Sequence, residues 1–290
     1  MNWDDLRFVA ALARAGTLAK TATALSVDHT TVGRRIDSAE RALGLRLFTR
    51  SATGYLLTRD GEQLIAPLRQ VEEAVLALER NTKPQSNTLT GTVRVTSPET
   101  FGIAYLATRL ASFGRQHPSL CIELLPSGAM LDLNRSEAEL AVRFVRTKHD
   151  SLIVRRLGLV TYGLYASAAY LARHPFSEAR QIGQHRLLLP ASGIELAWLR
   201  QFAPDTKPAI VSDLSIVLAE AACADAGLAV LPRYLGDSLP GLTYIRIPDE
   251  PSEPLWLAVH RDLRKTPRVR ALLDFLVATV RADRHLLAGA

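Results

Sequence analysis

Residues 18–43 carry two amphipathic patterns so close together that few folds can accommodate both. In the first, apolar residues fall on one face at helical spacing, namely Leu18, Ala22 and Leu25. The second repeats that spacing with Val32, Ile36 and Ala39. Between them, Asp28 has the side-chain oxygen that an N-cap needs, so a new helix should begin there after a short link. Two short helices joined in this way predict a helix-turn-helix.

The outward face of the second helix has short or basic side chains. They are His29, Thr30, Thr31, Gly33, Arg34 and Arg35. A helix that enters the major groove of DNA needs base-reading residues near its N-terminus and groups that hold phosphates around it. We include the capping Asp28 in the predicted DNA-binding set. A surface helix with merely solvated arginines is the alternative, and the flanking sequence decides between the two.

Both flanks complete a small DNA-binding fold. Residues 3–15 predict a helix that precedes the pair, and three helices are the minimum for a helix-turn-helix domain. Beyond Leu43, apolar residues on either side of Ser51–Gly54 predict a hairpin with its turn at those four residues. Such a hairpin is typical of the wing in a winged helix.

The wing region is basic. From Arg41 to Arg59 the chain has four arginines and no acidic residue. Arg50 flanks the hairpin, where a phosphate backbone would run, so it joins the predicted DNA contacts. Thr17 and Lys20, at the start of the first helix of the pair, are predicted to touch the DNA backbone as well.

A long helix should follow the hairpin. From Thr58 onward, apolar residues recur at spacings of three and four, namely Leu64, Leu68, Val71, Val75 and Leu78. A second copy of the chain would cover this stripe and form a dimer; packing on its own domain is the alternative. Pro67 predicts a kink. Polar residues without periodicity follow, and they predict a hinge.

From Gly91 onward the pattern changes to alternating strands and helices. The predicted strands are 92–96, 120–125, 140–144, 162–166, 187–189, 229–231 and 255–260. The predicted helices are 97–117, 131–137, 168–172, 213–226 and 267–282. This alternation predicts a parallel sheet with helices on both faces. Because the pattern restarts near residue 162, we expect two lobes with a cleft between them.

Polar side chains follow the first three strands of that sheet. Ser97, Pro98, Glu99 and Thr100 form a helix start, Ser127 and Gly128 follow the second strand, and Arg143 ends the third. Ligands in open α/β sheets bind at the carboxyl ends of strands, and the free N–H groups of a helix start attract anions. These residues therefore form the predicted ligand site. Ordinary capping, or a structural ion pair at Arg143, is the alternative, and Glu99 would disfavour an anion unless it pairs with a base.

Composition and missing motifs limit the other interpretations. The formal net charge of +6 permits a nucleic-acid partner without requiring one. The sequence has no nucleophile elbow, phosphate loop, dinucleotide fingerprint or zinc-type cluster, so we expect no enzyme, no cofactor and no metal. A plain solute carrier is a third interpretation, against which the DNA-binding pattern argues.

Cysteine usage and hydropathy bear on the compartment. Cys121 and Cys223 lie in apolar runs, where buried, reduced thiols are expected. No apolar stretch reaches spanning length, and the first residues are acidic where a signal peptide needs basic ones. We therefore expect a cytoplasmic protein without membrane contact.

Three stretches of the N-terminal part combine these features in one order and spacing. They are WDDLRFVAALARAGTLAKTATAL, VDHTTVGRRIDSAERALGLRLFTR and GYLLTRDGEQL. In these stretches the chain resembles the LysR-type transcriptional regulators. A looser similarity continues through GTVRVTSPETFG, RRLGLVTYGLYASAAYLARHP, GLAVLPRYL and RVRALLDFLV. The chain departs from the family at Asp28–Thr30, where many members have Ser-Gln-Pro or Ser-Gln-Ser.

The resemblance implies an α+β multidomain protein. Its parts would be a winged helix-turn-helix at 1–58, a linker dimerisation helix at 59–82, a hinge at 83–91 and a two-lobed α/β effector domain of periplasmic-binding-protein type at 92–290. The lobes would comprise 92–161 with 262–290, and 162–261.

The resemblance also implies a function. The chain would regulate transcription by binding double-stranded operator DNA, and it would respond to a small-molecule effector of unknown identity. Ser97–Thr100 would be the effector-binding turn. Assembly as a homodimer or homotetramer is implied, and contact with RNA polymerase is left open.

Overall fold

The computed structural model describes residues 2–51, 53–82, 89–128, 133 and 137–289, with the backbone alone at 66, 69–70, 73–74 and 76–82. The chain forms two compact units, residues 1–83 and 84–290. Within the described ranges, no helix is both long enough and apolar enough to cross a membrane.

Three helices and a hairpin build the first unit, and a long helix follows them. The helices are α1 (Trp3–Ala15), α2 (Leu18–Leu25) and α3 (His29–Leu43), the hairpin is β1 (Phe48–Ser51) with β2 (Gly54–Leu57), and the long helix is α4 (Arg59–Thr82). The first three helices each begin at a polar cap, because Asn2, Thr17 and Asp28 accept backbone N–H groups. These elements confirm the predicted winged helix-turn-helix.

One apolar core holds the helices and the hairpin together. Leu12, Val32 and Leu47 are completely buried in it, and each contributes about 1.5–3 kcal/mol relative to an exposed side chain. Glu40, also buried, accepts hydrogen bonds from the backbone N–H groups of Leu47 (2.7 Å) and Phe48 (3.2 Å). Helix α3 therefore fixes the base of the wing.

The apolar stripe on α4 divides between two environments. Leu68 is buried in the core of the first unit and Leu64 packs against that core. Val71, one turn further on, is 47% exposed, and Val75 is half-buried. The alternative of packing on their own domain therefore applies to Leu68, which is covered there, and in part to Leu64, which is half-buried. The side chain of Leu78 lies outside the described residues.

The second unit is built around one nine-stranded sheet. Its strands are β3 (Gly91–Ser97), β4 (Leu120–Pro126), β5 (Leu140–Arg143), β6 (Leu152–Ser167), β7 (Leu187–Pro190), β8 (Ile210–Ser212), β9 (Leu228–Pro232), β10 (Leu242–Ile245) and β11 (Ser252–His260). Its α-helices are α5 (Glu99–Phe101), α6 (Ala107–Gln116), α7 (Ala168–Arg173), α8 (Ile194–Leu199), α9 (Ser215–Cys223), α10 (Arg233–Gly236), α11 (Pro267–Ala282) and α12 (Arg284–Ala288). A π-helical stretch, Gly102–Leu106, joins α5 to α6, and a 3-10 helix spans Ala179–Gln184.

The sheet is mixed, which corrects the prediction of a parallel sheet. Its order is β4-β3-β5-β11-β6-β9-β7-β8, with β10 also paired to β6. β3 is parallel to β4 and β5, and β7 is parallel to β8 and β9. β11 and β6 run antiparallel to their neighbours. The prediction failed because β11 inserts between β5 and β6, a pairing that no local sequence pattern reveals.

Strand β6 belongs to both halves of the sheet. Residues 152–161 pair with β11, and the last residues of β6 pair with β9 and β10. The sequence predicted a strand for 162–166 alone, because Arg155 and Arg156 interrupt the apolar pattern before it. The long strands β6 and β11 thus join two lobes, as expected for an α/β domain of periplasmic-binding-protein type.

Some other predicted elements also differ from the structure. Helix α9 is shorter than the predicted 213–226, and β8, β10, α8, α10 and α12 have no counterpart in the prediction. The predicted helix 131–137 lies mostly outside the described residues. Cys121 is exposed and Cys223 is half-buried, so the expectation of buried thiols is wrong for Cys121, whose strand β4 is at the edge of the sheet.

Candidate DNA-binding face and ligand site

Helix α3 presents an unpaired arginine beside an open stretch of backbone. Arg34 is exposed and makes no ion pair or hydrogen bond with any described residue. A Cβ built on Gly33 would meet no atom within 4 Å, so packing inside the protein does not require a glycine there. His29 and Thr30 are exposed and Thr31 is half-buried. A free guanidinium beside an uncrowded helix face suits close approach of a nucleic acid.

Asp28 acts as the cap of α3. Its carboxylate accepts hydrogen bonds from the hydroxyl (2.6 Å) and the backbone N–H (2.8 Å) of Thr30. These two hydrogen bonds, the hydroxyl's first, lower the pKa of Asp28. The proton of the Thr30 hydroxyl is therefore used within the chain, which leaves its oxygen and methyl group for a partner. Direct DNA contact by Asp28 stays a prediction.

Arg35 lies on a different side of α3 from Arg34. Its guanidinium donates to Asp5 at 2.9 Å and lies 3.4 Å from Asp4, both on α1. Although burial opposes the shift, hydrogen bonds from Ser38 and Arg35 lower the pKa of Asp5. The structure thus places Arg35 in a clamp between α3 and α1 and does not bring it together with Arg34.

The wing is fixed to the helices beneath it. The backbone N–H of Tyr55 donates to the carbonyl of Gly16 at 2.7 Å, and a side chain at Gly54 would collide with that carbonyl. Arg50 is exposed, lies 5.7 Å from the Tyr55 ring centroid and donates its Nε to the Tyr55 hydroxyl at 3.1 Å. Its charge is therefore held in place on the hairpin.

The start of α2 lies next to the wing. The Thr17 methyl is 3.0 Å from the position of a Cβ built on Gly54. Thr17 accepts the backbone N–H of Lys20 at 3.3 Å, and Lys20 is exposed. The structure therefore places Thr17 against the hairpin, with Lys20 one turn further along α2.

In the second unit, the predicted ligand turn is largely satisfied by its own chain. Ser97 and Thr100 are buried, and Pro98 and Glu99 are half-buried. The Ser97 hydroxyl donates to the Pro98 carbonyl at 3.2 Å, and the Ser97 carbonyl accepts the backbone N–H of Ser127 at 2.8 Å. Thr100 makes no hydrogen bond through its side chain to a described residue.

Glu99 occupies the place where an anion was expected. Its carboxylate accepts a hydrogen bond from the backbone N–H of Gly128. Arg143 is buried at the end of β5 and donates to the Thr96 hydroxyl at 2.6 Å. Burial lowers the pKa of Arg143, and the negative charge of Glu99 acts against that shift. The turn thus carries an internal carboxylate, and the charge of Glu99 acts on Arg143.

A second group of ionisable residues adjoins this turn, and we call it the acidic cluster. It consists of Glu195 on α8, Glu253 on β11, Tyr162 on β6 and Tyr234 on α10. The Tyr162 hydroxyl donates to the Glu253 carboxylate. The Tyr234 ring packs edge-on against Phe101 of α5 at 5.3 Å, which places the cluster beside the predicted ligand turn.

Both carboxylates of the acidic cluster are half-buried and lack a cationic partner. Burial raises the pKa of Glu253, and the Tyr162 hydrogen bond opposes the rise. Burial also raises the pKa of Glu195; its own backbone N–H opposes this, and the charge of Glu253 adds to it. No arginine, lysine or histidine in the described part of the chain forms an ion pair with either carboxylate.

A glycine makes room for the first of these carboxylates. A Cβ built on Gly193 would lie 2.5 Å from a carboxylate oxygen of Glu195, and Gly193 has a φ of +106°. The backbone conformation therefore favours glycine, whereas the Glu195 carboxylate, at the end of a flexible side chain, could move aside for a Cβ. Sequence reasoning missed the acidic cluster because its members come from distant elements. The signal that could have found it is Glu253, a charged residue within the strand Ser252–His260.

A winged helix-turn-helix joined to a two-lobed sheet domain with a polar site at strand ends defines a class, the ligand-responsive regulators of transcription. Models of known families assign the chain more narrowly. The "LysR substrate binding domain" matches residues 86–281, and the "Bacterial regulatory helix-turn-helix protein, lysR family" matches residues 3–62. The chain therefore belongs to the LysR family of transcriptional regulators, a family of DNA-binding proteins and not of enzymes.

Individual relatives agree with this assignment. The chain is 29% identical over 280 residues to the Mau operon transcriptional activator of Paracoccus denitrificans, covering 95% of each protein. The full-length virulence activator AphB of Vibrio cholerae shares the fold with a TM-score of 0.63 at 21% identity, over 96% of this chain and 99% of that one. CrgA of Neisseria meningitidis does so with a TM-score of 0.59 at 21% identity, over 97% and 99%.

Proposed function

We propose that this LysR-type regulator binds operator DNA in the cytosol through the outward face of α3 and the wing. The observation that carries the proposal is Arg34, a guanidinium that no described residue engages. Gly33 beside it leaves the helix open to close approach. His29, Thr30 and Thr31 would read bases near the helix N-terminus, while Arg50, Thr17 and Lys20 would hold the phosphate backbone.

Footprinting of the purified full-length protein on the DNA upstream of its own gene tests this proposal. We expect a protected site with two half-sites about one helical turn apart or a multiple of that distance, because dimeric helix-turn-helix proteins bind in this way. A control fragment of equal length and base composition should be unprotected at the same salt concentration. Equal protection of both fragments would contradict operator recognition.

We propose that α4 supplies the dimer contact from Val71 onward. Val71 is 47% exposed, whereas Leu68 is already buried in its own unit. A second α4 would cover Val71, Val75 and Leu78, and family members oligomerise. Val71→Asp should dissociate the dimer in sedimentation velocity while α-helical content is retained, and a dimer that persists would place the contact elsewhere.

The same proposal places the effector at the strand-end site of the second unit. Ser97–Thr100, Ser127, Gly128 and Arg143 meet there at the carboxyl ends of β3, β4 and β5. Thr100 is a buried residue of the turn, and its side chain makes no hydrogen bond to a described residue. Effector binding at this site would shift the balance between two assembly states with different affinities for the operator. Recruitment of RNA polymerase belongs to the same proposal.

A further inference from the structure

A cavity between β6 and the C-terminal helices collects positive charge, and we call it the arginine pocket. It has a volume of about 230 Å³ and is lined by Arg155–Gly158 of β6, by Val277, Val280 and Arg281 of α11, and by Arg284 of α12. None of the strand-end residues that are proposed to hold the effector lines this cavity. The arginine pocket is therefore a separate place in the second unit.

Close packing of α11 on β6 forms the apolar wall of the pocket. A Cβ built on Gly158 would lie 3.2 Å from a methyl carbon of Val280, so a larger residue at 158 would press on the helix. Val280 is buried, and Leu157 and Val277 are half-buried. These side chains suit contact with a carbon chain better than contact with water.

The register of the sheet shows which arginines of β6 lie on the face that α11 covers. Arg155 is paired with Leu257, which lies in the same buried core as the apolar residues of α11. Arg156 is paired with Trp256, one residue earlier on β11. Paired residues of neighbouring strands share a face, and successive residues of a strand point to opposite faces. Arg155 therefore belongs to the pocket, and Arg156 is not part of the proposed set.

Three arginine side chains then remain at the pocket, those of Arg155, Arg281 and Arg284. All three are exposed, and none has an ion pair or a hydrogen bond with a described residue. A guanidinium group can donate two parallel hydrogen bonds to one carboxylate or phosphate. Like charges around one cavity repel one another until an anion neutralises them.

The nearest carboxylates in the sequence are engaged elsewhere. The strand and the helices that line the pocket contain one acidic residue, Asp274 of α11, which lies 3.7 Å from Arg270. Asp283, between α11 and α12, accepts hydrogen bonds from Tyr105 at 2.9 Å and from Arg109 at 3.0 Å. These two carboxylates therefore leave the charge of the arginine pocket uncompensated.

We propose that the arginine pocket binds a small organic anion with two negative charges, a phosphate monoester or a dicarboxylate. The arginines hold its charged part, and a short carbon chain lies against Leu157, Val277 and Val280. Two negative charges compensate three guanidinium groups better than one does, and the volume of the cavity limits the ligand to a small molecule. This ligand is additional to the effector of the proposed function.

Calorimetry and thermal unfolding of the full-length protein with monobutyl phosphate and with adipate test the proposal. At slightly alkaline pH both probes have two charges, and sodium chloride keeps the ionic strength equal in every sample. We expect saturable binding and a higher unfolding midpoint with at least one of them, and the probe that binds identifies the charged group.

Two further anions test the two parts of the ligand. Inorganic phosphate lacks the carbon chain and pentanoate lacks the second charge, so both should bind at least about fivefold more weakly than the better dianion. Binding of neither dianion would overturn the proposal. Equal binding of pentanoate or of inorganic phosphate would overturn it as well.

Arg155→Gln and Arg281→Gln test where the dianion binds. Each variant should weaken binding by about fivefold or more, because it removes charge-assisted hydrogen bonds. Arg264→Gln is the matched control, since Arg264 is exposed and precedes α11, whereas Arg281 lies in the last turn of that helix. The control should bind like the wild type. Full affinity in both pocket variants, or an equal loss in the control, would refute the site.

Unfolding without a ligand shows whether the same arginines have a structural role. Neither pocket variant should be less stable than the wild type, since each removes one of several like charges that have no partner among the described residues. A lower unfolding midpoint in both variants would overturn the proposal, because the protein itself would then hold these side chains.

Thr100→Val separates the arginine pocket from the strand-end site. The substitution keeps the shape of a strand-end residue and leaves the arginines unchanged, so binding of the dianion should be retained. Loss of binding in Thr100→Val, together with full binding in the arginine variants, would assign the dianion to the strand-end site. That result would overturn this inference and leave the proposed function standing.

Discussion

The outward face of α3 and the acidic cluster use charge in opposite ways. Arg34 leaves its hydrogen-bonding groups to solvent, and so to any partner that displaces solvent. In the cluster, Glu195 and Glu253 are half-buried and each has a raised pKa. An exposed charge keeps its water until a partner displaces it, whereas burial shifts the pKa of a carboxylate so that the neutral form is favoured.

Arg34 and Arg35, which are adjacent on α3, allow the strongest test of this difference in the use of charge. Arg35→Ala removes the partner of Asp5, a buried carboxylate held at 2.9 Å. We expect the free energy of unfolding to fall by about 2–3 kcal/mol, because one charge is left buried without its partner and Arg35 itself is partly exposed. Chemical denaturation measures this change. A loss below about 0.5 kcal/mol would mean that Arg35 belongs to the solvent-facing set.

Arg34→Ala is the matched variant, one residue earlier on the same helix. It should leave the free energy of unfolding within about 0.5 kcal/mol of wild type, since Arg34 has no partner among the described residues. Operator affinity should fall by about 1–3 kcal/mol for each half-site if the guanidinium contacts a base. A gel-shift titration checks the affinity, and unchanged binding would remove Arg34 from the interface.

These two arginines also show how far sequence reasoning reaches. Helical periodicity predicted α3, its cap and its buried face, and α1 and α11 were predicted to the residue, because their apolar spacing and terminal signals are local. Whether Arg34 or Arg35 meets solvent depends on where Asp4 and Asp5 of α1 lie. The position of these two residues is set by tertiary packing, which the sequence pattern within α3 does not encode.

The same limit applies more strongly in the second unit. The turn at Ser97–Thr100 could be predicted from a strand followed by a helix start. The role of Glu99 could not be predicted, because its hydrogen-bond partner Gly128 follows a second strand and the charged residue Arg143 is at the end of a third. Glu195 and Glu253 are 58 residues apart in the chain, and only the insertion of β11 into the sheet brings them together.

Gly33→Ala tests whether DNA approaches the backbone of α3 closely. Alanine should stabilise the first unit by about 0.5–1 kcal/mol, since glycine within a helix is costly and no atom would obstruct a Cβ. If DNA approaches this face closely, operator affinity should fall in the same variant. Thermal unfolding and anisotropy on one preparation measure both quantities. A more stable protein with unchanged affinity would show that DNA does not approach Gly33.

The smallest expected effect concerns pH. Burial raises the pKa of Glu253 above its ordinary value of 4.5, so the folded state holds this proton more tightly than the unfolded state. The resulting stabilisation is present below pH 4.5 and is lost as pH rises through the folded-state pKa. Glu253→Gln should therefore lose less stability than wild type when pH is raised from acid to neutral. Parallel curves from denaturant titrations at several pH values would contradict a strained carboxylate.

The place of β11 in the sheet has a consequence for how the chain is made. Residues 252–260 form a central strand between β5 and β6, so the sheet cannot close until nearly the whole chain has left the ribosome. The first unit depends on contacts within its own 83 residues and can fold while synthesis continues. Until β11 arrives, β5 and β6 present open edges to other nascent chains. A message truncated before codon 252 should therefore yield a folded DNA-binding head attached to an aggregation-prone remainder.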